Sequence, residues 1–156
     1  MCHYCGCRQV PLIRDYIAEH ESVLALGLEA LRQIGLGQLD QAQQTVALMR
    51  AELQAHWQGE ENGVFAVMRE DPMYAEHIDP LIAEHRELDA LLGRIDLTDA
   101  GDQVVLREQV EDLRLHISKE EDGIFPVTLV ELSGPEWDLA IAAWHEAHPG
   151  RELIPD

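Results

Sequence analysis

Apolar positions recur three and four residues apart along most of the chain, a spacing that predicts α-helices with one buried face. From about Pro11 to Ile34, that face collects Ile13, Tyr16, Ile17, His20, Val23, Leu24, Leu28 and Leu31. A second stretch, about Leu39 to Glu70, aligns Val46, Met49, Leu53, His56 and Glu60. It stops before Asp71-Pro72, because the residue ahead of a proline is pushed out of the helical region. The third carries Leu81, Ile82, His85, Leu88 and Leu92 and ends near Ile95. Pro80 lies inside it, so Asp79-Pro80 either caps a fresh helix or kinks one that starts near Pro72. The fourth, about Asp102 to Leu132, sets Leu106, Val110, Leu113, His116, Glu120, Ile124 and Val127 inward, with Gly123 and Pro126 expected to bend its last turns. A shorter helix, PEWDLAIAAWHEAH, follows Ser133-Gly134 and carries Trp137 and Trp144 on one face to pack on the rest. Short connections between long neighbours predict an all-α protein: an antiparallel up-and-down four-helix bundle over 11–132, a Cys-rich segment over 1–10, and a C-terminal helix and tail over 133–156.

The polar residues on the buried stripes come as a repeated set. HWQGEENGVFAVM, from His56, and HISKEEDGIFPVT, from His116, share the form H-x-x-x-E-E-[ND]-G-[VI]-F-x-V. Each follows a second shared phrase, AEHESVLAL around His20 and AEHRELDAL around His85. Residues four apart share a helix face, so His56 with Glu60, and His116 with Glu120, each aim a nitrogen and a carboxylate in one direction. Folding then gathers four imidazoles and two carboxylates at the centre, where an unpaired carboxylate is strongly unfavourable. No Lys or Arg occupies the predicted inward positions near them. A bound metal would neutralise them, and mixed imidazole and carboxylate ligands without thiolate suit iron, with zinc and manganese as competitors. The two equivalent halves favour two ions over one, with Glu60 and Glu120 able to bridge them.

Charge narrows the partners. The formal net charge is −19, which repels phosphate backbones and anionic membrane surfaces and so argues against nucleic acid and lipid. No apolar stretch approaches the roughly 20 residues that cross a bilayer, and the N-terminus lacks a secretion-signal pattern, so a cytoplasmic protein is expected.

The ordered His, His-x-x-x-Glu, His, His-x-x-x-Glu pattern over about Pro11 to Leu132 resembles the bacterial hemerythrin-like (HHE) family. The resemblance implies a four-helix bundle around two non-haem iron ions, oxo- or hydroxo-bridged, held by His20, His56, Glu60, His85, His116 and Glu120. Glu61 and Glu121 match the family's paired glutamates. One further residue turns a helical side chain by about 100°, which favours Glu120 over Glu121 as the ligand, although a bend near Gly123 could bring Glu121 inward. The family's oxygen carriers place a second histidine one turn before the position of His85, where this chain has Leu81; that departure argues against reversible oxygen transport. His77, two turns before His85, and Tyr16, one turn before His20, are further candidates for a ligand or a supporting role.

All three cysteines lie in MCHYCGCR, as C-x-x-C-x-C. Cys2, Cys5 and Cys7, with His3 or with His145 and His148 from the other terminus, form a candidate zinc site, with redox-active thiols and a cofactor-free terminus as the alternatives. Three functions fit the whole. The first is a di-iron centre consuming peroxide, catalase-like or peroxidase-like, or reacting with dioxygen; the open coordination left by Leu81 favours it. The second is a binding protein or sensor for dioxygen or nitric oxide without turnover. The third is a metal-stabilised module that docks a partner.

Overall fold

The computed structural model describes residues 6–155, and every regular element there is helical. After a 3-10 turn at Cys7–Gln9, the long helices are α1 (Ile13–Gly35), α2 (Leu39–Asn62), α4 (Pro72–Arg94) and α5 (Ala100–Lys119). The short α3 (Val64–Met68) continues α2, a π-helical turn (Glu120–Ile124) and α6 (Phe125–Glu131) continue α5, and α7 (Gly134–Ala147) closes the chain. Contacts run α1 to α2, α2 to α4, α4 to α5 and α5 back to α1, so the four long helices enclose one interior. Among the described residues no helix is long and apolar enough to cross a membrane.

Side-chain caps fix several helix starts. Asp71 accepts from Met73 N at 2.8 Å ahead of Pro72, Asp99 accepts from Asp102 N at 3.0 Å, and Ser133 forms a capping box with Glu136. With Asp71-Pro72 starting the helix, α4 runs through Pro80 unbroken, which selects the longer of the two readings for this segment.

The inward face of α1 departs from the apolar stripe. Its buried positions are Ile13, Tyr16, His20, Val23, Gly27 and Ala30, while Leu28 is 49% exposed. Helix approach is the reason: a Cβ on Gly27 would stand 3.0 Å from Val110 Cγ2 of α5, so small residues take the contact and the leucine turns outward. Another departure is the end of α2, expected to run on to Glu70. It breaks at Gly63, whose φ of −106° and ψ of −109° are not helical. A Cβ there would lie 2.6 Å from Gly59 O and 3.2 Å from Ala140 O of α7, so α7 crosses α2 where only glycine fits.

Two apolar clusters result. One gathers Val23, Met49, Leu53, Leu88, Leu106 and Val110; the other gathers Leu12, Tyr16, Phe65, Leu81, Phe125 and Trp144. The histidines and glutamates of the repeat lie on the same helices between them.

Candidate metal centre

Four imidazoles and two carboxylates meet where the clusters part. His20 comes from α1, His56 and Glu60 from α2, His85 from α4, and His116 from α5, while Glu120 opens the π-helical turn. All six are buried, and Glu60 and Glu120 are fully so. His20 Nε2 lies 2.9 Å from His56 Nε2, and His85 Nε2 lies 2.9 Å from His116 Nε2. Glu120 spans both pairs: one oxygen is 3.2 Å from His20 Nε2, the other 2.8 Å from His116 Nε2 and 3.5 Å from His85 Nε2. Glu60 stands 3.2 Å from His56 Nε2 and 3.9 Å from His85 Nε2. Donor atoms of His20, His56, Glu60 and Glu120 fall within 4.8 Å of one another, as do those of His85, His116 and Glu120.

Each imidazole is held from behind. Nδ1 of His20 donates to Glu121 at 2.9 Å, of His56 to Glu19 at 2.8 Å, of His85 to Glu61 at 2.9 Å, and of His116 to Glu84 at 2.7 Å. An ionised carboxylate only accepts, so these bonds place the ring proton on Nδ1 and leave Nε2 as a lone pair facing the centre. Two such lone pairs 2.9 Å apart repel unless a cation or a proton lies between them. Glu60 Oε2 and both oxygens of Glu120 face imidazole nitrogen, and apart from these imidazoles no group hydrogen-bonds to either carboxylate. The residues present therefore fit a metal ion by donor type, spacing and unmet charge.

The repeat places Glu61 and Glu121 behind histidines of the other half. Glu120, on the inward face, presents both oxygens to the imidazoles, whereas Glu121 pairs with His20 and with Arg8 of the N-terminal turn. Glu19 and Glu84, which the i, i+4 argument leaves out, complete the set; the signal that points to them is the repeated Ala-Glu-His. Aromatic rings flank the centre: His85 lies between Trp57 at 4.9 Å and Phe65 at 6.1 Å, and His20 stacks on Phe125 at 5.8 Å.

Tyr16 is fully buried, edge-on to His56 at 5.4 Å, and its hydroxyl has no hydrogen-bond partner. Burial, with the nearby Glu60, Glu19 and Glu120 carboxylates, raises its phenol well above the ordinary value, so it stays a protonated donor. Leu81 is buried beside it in the same apolar cluster. His77 is exposed on α4, whose inward register there belongs to Ile78 and Leu81, so it stands apart from the centre.

Of the candidate zinc set, Cys2, His3 and Cys5 lie outside the described residues, and Cys7 is disulfide-bonded. His148 is committed elsewhere, with Nδ1 2.9 Å from Trp144 O and Nε2 3.1 Å from Glu19. His145 sits edge-on to Trp144.

In the metal-free protein the imidazoles compensate the carboxylates. Burial by itself lowers the His116 pKa, but the Glu120 charge and the hydrogen bonds to Glu120 and Glu84 outweigh it and raise it to about 9. An imidazole titrates near 6.5 when unfolded, so this pairing stabilises the metal-free fold fully below about pH 6.5 and is lost as pH rises through about 9. Bound to metal, the same imidazole is neutral throughout. We expect the gap in unfolding midpoint between metal-loaded and metal-free protein to widen from pH 7 to pH 9.5; parallel curves would refute this account.

A family model described as the hemerythrin HHE cation binding domain matches residues 12–128. No match was found among curated proteins or among solved structures.

Proposed function

Because the chain belongs to the hemerythrin HHE cation binding domain family, we propose that its buried His/Glu cluster holds two iron ions and reacts with peroxide or dioxygen. His20 and His56 would hold one ion and His85 and His116 the other, with Glu60 and Glu120 shared between them, inside an up-and-down bundle. The observation that carries this reading is the orientation of the imidazoles: four Nδ1–H groups tied to carboxylates, and four Nε2 atoms aimed at two buried carboxylates without other partners. Iron held there would supply redox steps and open coordination for a small oxidant.

The protein's own residues do the rest. Glu60 and Glu120 supply negative charge that holds the two cations close together. Glu19, Glu61, Glu84 and Glu121 fix the ring orientation and make each Nε2 more basic. The Tyr16 phenol, buried and edge-on to His56, keeps its proton and would serve as a hydrogen-bond donor toward a reactant in the centre. Phe65, Phe125 and Leu81 form an apolar wall on one side of the centre and limit the access of bulk water there. Leu81 offers no nitrogen where a further ligand would stand, which favours chemistry at an open position over reversible carriage.

The test is metal content and the visible spectrum of protein purified without oxygen, before and after peroxide, followed by an oxygen electrode. About two irons per chain, a spectrum that responds to peroxide, and oxygen evolution support this reading. A band that appears with dioxygen and reverses on its removal, without turnover, would favour the sensor instead. Tyr16→Phe should fold and keep both ions but lose roughly 100- to 10,000-fold in turnover, the range of a positioned proton donor. Unchanged turnover would remove Tyr16 from the reaction.

A further inference from the structure

The two halves of the repeat are alike at the six central residues and at the arginine-paired Glu121 and Glu61 behind His20 and His85, and differ at the carboxylates behind His56 and His116. Glu84, behind His116, is 38% exposed and pairs with Lys119, itself 53% exposed. Glu19, behind His56, is 8% exposed and lies under α7. Trp144 Nε1 donates to one Glu19 oxygen at 2.9 Å, and His148 Nε2 lies 3.1 Å from the same oxygen. Burial alone would raise the Glu19 carboxyl, but the bonds from His56 and Trp144 and the adjacent imidazoles hold it below its ordinary value. Behind His20, Arg8 of the N-terminal turn pairs with Glu121.

Arg8, Trp144 and His148 all lie outside residues 12–128, the part of the chain that matches the family model. Among the described residues, both terminal segments thus converge on the His20/His56 pair. The backbone is shaped for the same contact. A Cβ on Gly63 would lie 3.2 Å from Ala140 O and 3.3 Å from Ala140 Cα of α7, whereas the repeat's second glycine, Gly123, has nothing within 4 Å of that position. Gly59, one turn before Gly63, would bring its Cβ to 3.5 Å from Trp144 Cα.

Solvent reaches the opposite side. A cleft of about 330 Å³ between α2, α4 and α5 is lined by both His85 and His116, together with Trp57, Leu113 and Lys119. A second depression, of about 470 Å³, reaches Glu19 and His148 from outside but touches neither His20 nor His56.

We infer that the chain ends make the two metal positions unequal: Trp144 and His148 act through Glu19 as positioning residues that lock His56 and make the His20/His56 ion the slowly exchanging one. Metal ions and small reactants then reach the pair through the cleft at His85 and His116. The inference rests on the two-metal reading above. A carboxylate held by the Trp144 indole N–H and flanked by the His148 ring keeps the imidazole in the liganding orientation, and loss of such outer partners typically costs 10- to 100-fold in metal affinity. Burial under α7 slows release further, because the ion leaves only when that segment opens.

The experiment loads metal-free full-length protein with cobalt(II) and follows the visible bands as a chelator removes the metal. The wild type is expected to bind two ions and release them in two phases at least about 10-fold apart. Trp144→Phe keeps the ring packing but loses the donor; it should accelerate the slow phase about 10-fold and leave the fast phase unchanged. His148→Gln, at the end of α7, should do the same and carries the test if Trp144→Phe does not fold. Lys119→Met should alter the fast phase alone. Trp137→Phe, on the same helix, measures general loosening of α7 and should alter neither phase. Release of both ions in one phase, or a slow phase unmoved by Trp144→Phe and His148→Gln, overturns the inference while two bound ions keep the two-metal reading. A slow phase that moves equally in Trp137→Phe overturns it as well. A wild type that binds fewer than two ions overturns the two-metal reading and this inference with it.

Discussion

On the two-ion reading proposed above, Glu120→Gln is expected to leave at most one tightly bound ion per chain. Glu120 is the carboxylate that both histidine pairs share, 3.2 Å from His20 Nε2, 2.8 Å from His116 Nε2 and 3.5 Å from His85 Nε2. Glutamine keeps the volume but removes the charge and turns an amide N–H₂ toward one pair, where it repels a cation. Loss of an outer partner typically costs 10- to 100-fold in affinity, so loss of the shared ligand should exceed about 100-fold for one ion. Glu60→Gln should be milder for the His85/His116 position, because Glu60 stands 3.9 Å from His85 Nε2. Glu111→Gln, on an exposed part of α5, is the control. Cobalt(II) titration of metal-free protein measures all three. Two tight equivalents in Glu120→Gln would show that this carboxylate is not a shared ligand.

Removing the metal should lower the unfolding temperature sharply without melting the helices. A ligand that binds only the folded state stabilises it by about 4.1 kcal/mol when present at 1,000 times its dissociation constant. The two ions proposed above would then contribute about 8 kcal/mol, and in a chain of this size each kcal/mol shifts the midpoint by roughly 2–4 °C. A drop of some 15–30 °C follows from those magnitudes. The helices survive because the two apolar clusters stand on either side of the centre and do not depend on it; each fully buried Leu or Phe contributes about 1.5–3 kcal/mol. Circular dichroism before and after chelation, with readdition of iron or cobalt, is the measurement. A midpoint that moves by less than about 5 °C would mean that the bound metal contributes little to folding. Helix content lost on chelation would mean instead that the clusters cannot hold the bundle alone.

These expectations draw unequally on sequence and fold. The duplicated H-x-x-x-E pattern identifies His56, Glu60, His116 and Glu120, because i, i+4 is a property of any helix wherever it packs. The repeated Ala-Glu-His adds His20 and His85 by register. It also contains Glu19 and Glu84, but nothing local says that a residue beside an inward histidine will reach across to the histidine of another helix. Glu19 of α1 serves His56 of α2, and Glu121, beyond α5, serves His20 of α1. Those pairings depend on which helices become neighbours. Leu28 shows the same limit: hydrophobicity marks it as inward, but the close approach of α1 to α5 at Gly27 turns it outward.

Trp144 illustrates the last division. Its spacing from Trp137 predicts that α7 packs on the rest of the protein, and the apolar cluster that holds it agrees. That its indole N–H reaches the carboxylate behind His56 follows from the crossing at Gly63, a contact between segments far apart in sequence. The sequence by itself determined the helices, the six inward residues and the need for a cation among them, because periodicity, local spacing and charge are read along one chain. Tertiary structure alone decided which carboxylate supports which imidazole, and that one histidine pair lies under the chain ends while the other meets a cleft. Those outcomes depend on how helices distant in sequence pack against each other, and no local pattern encodes that.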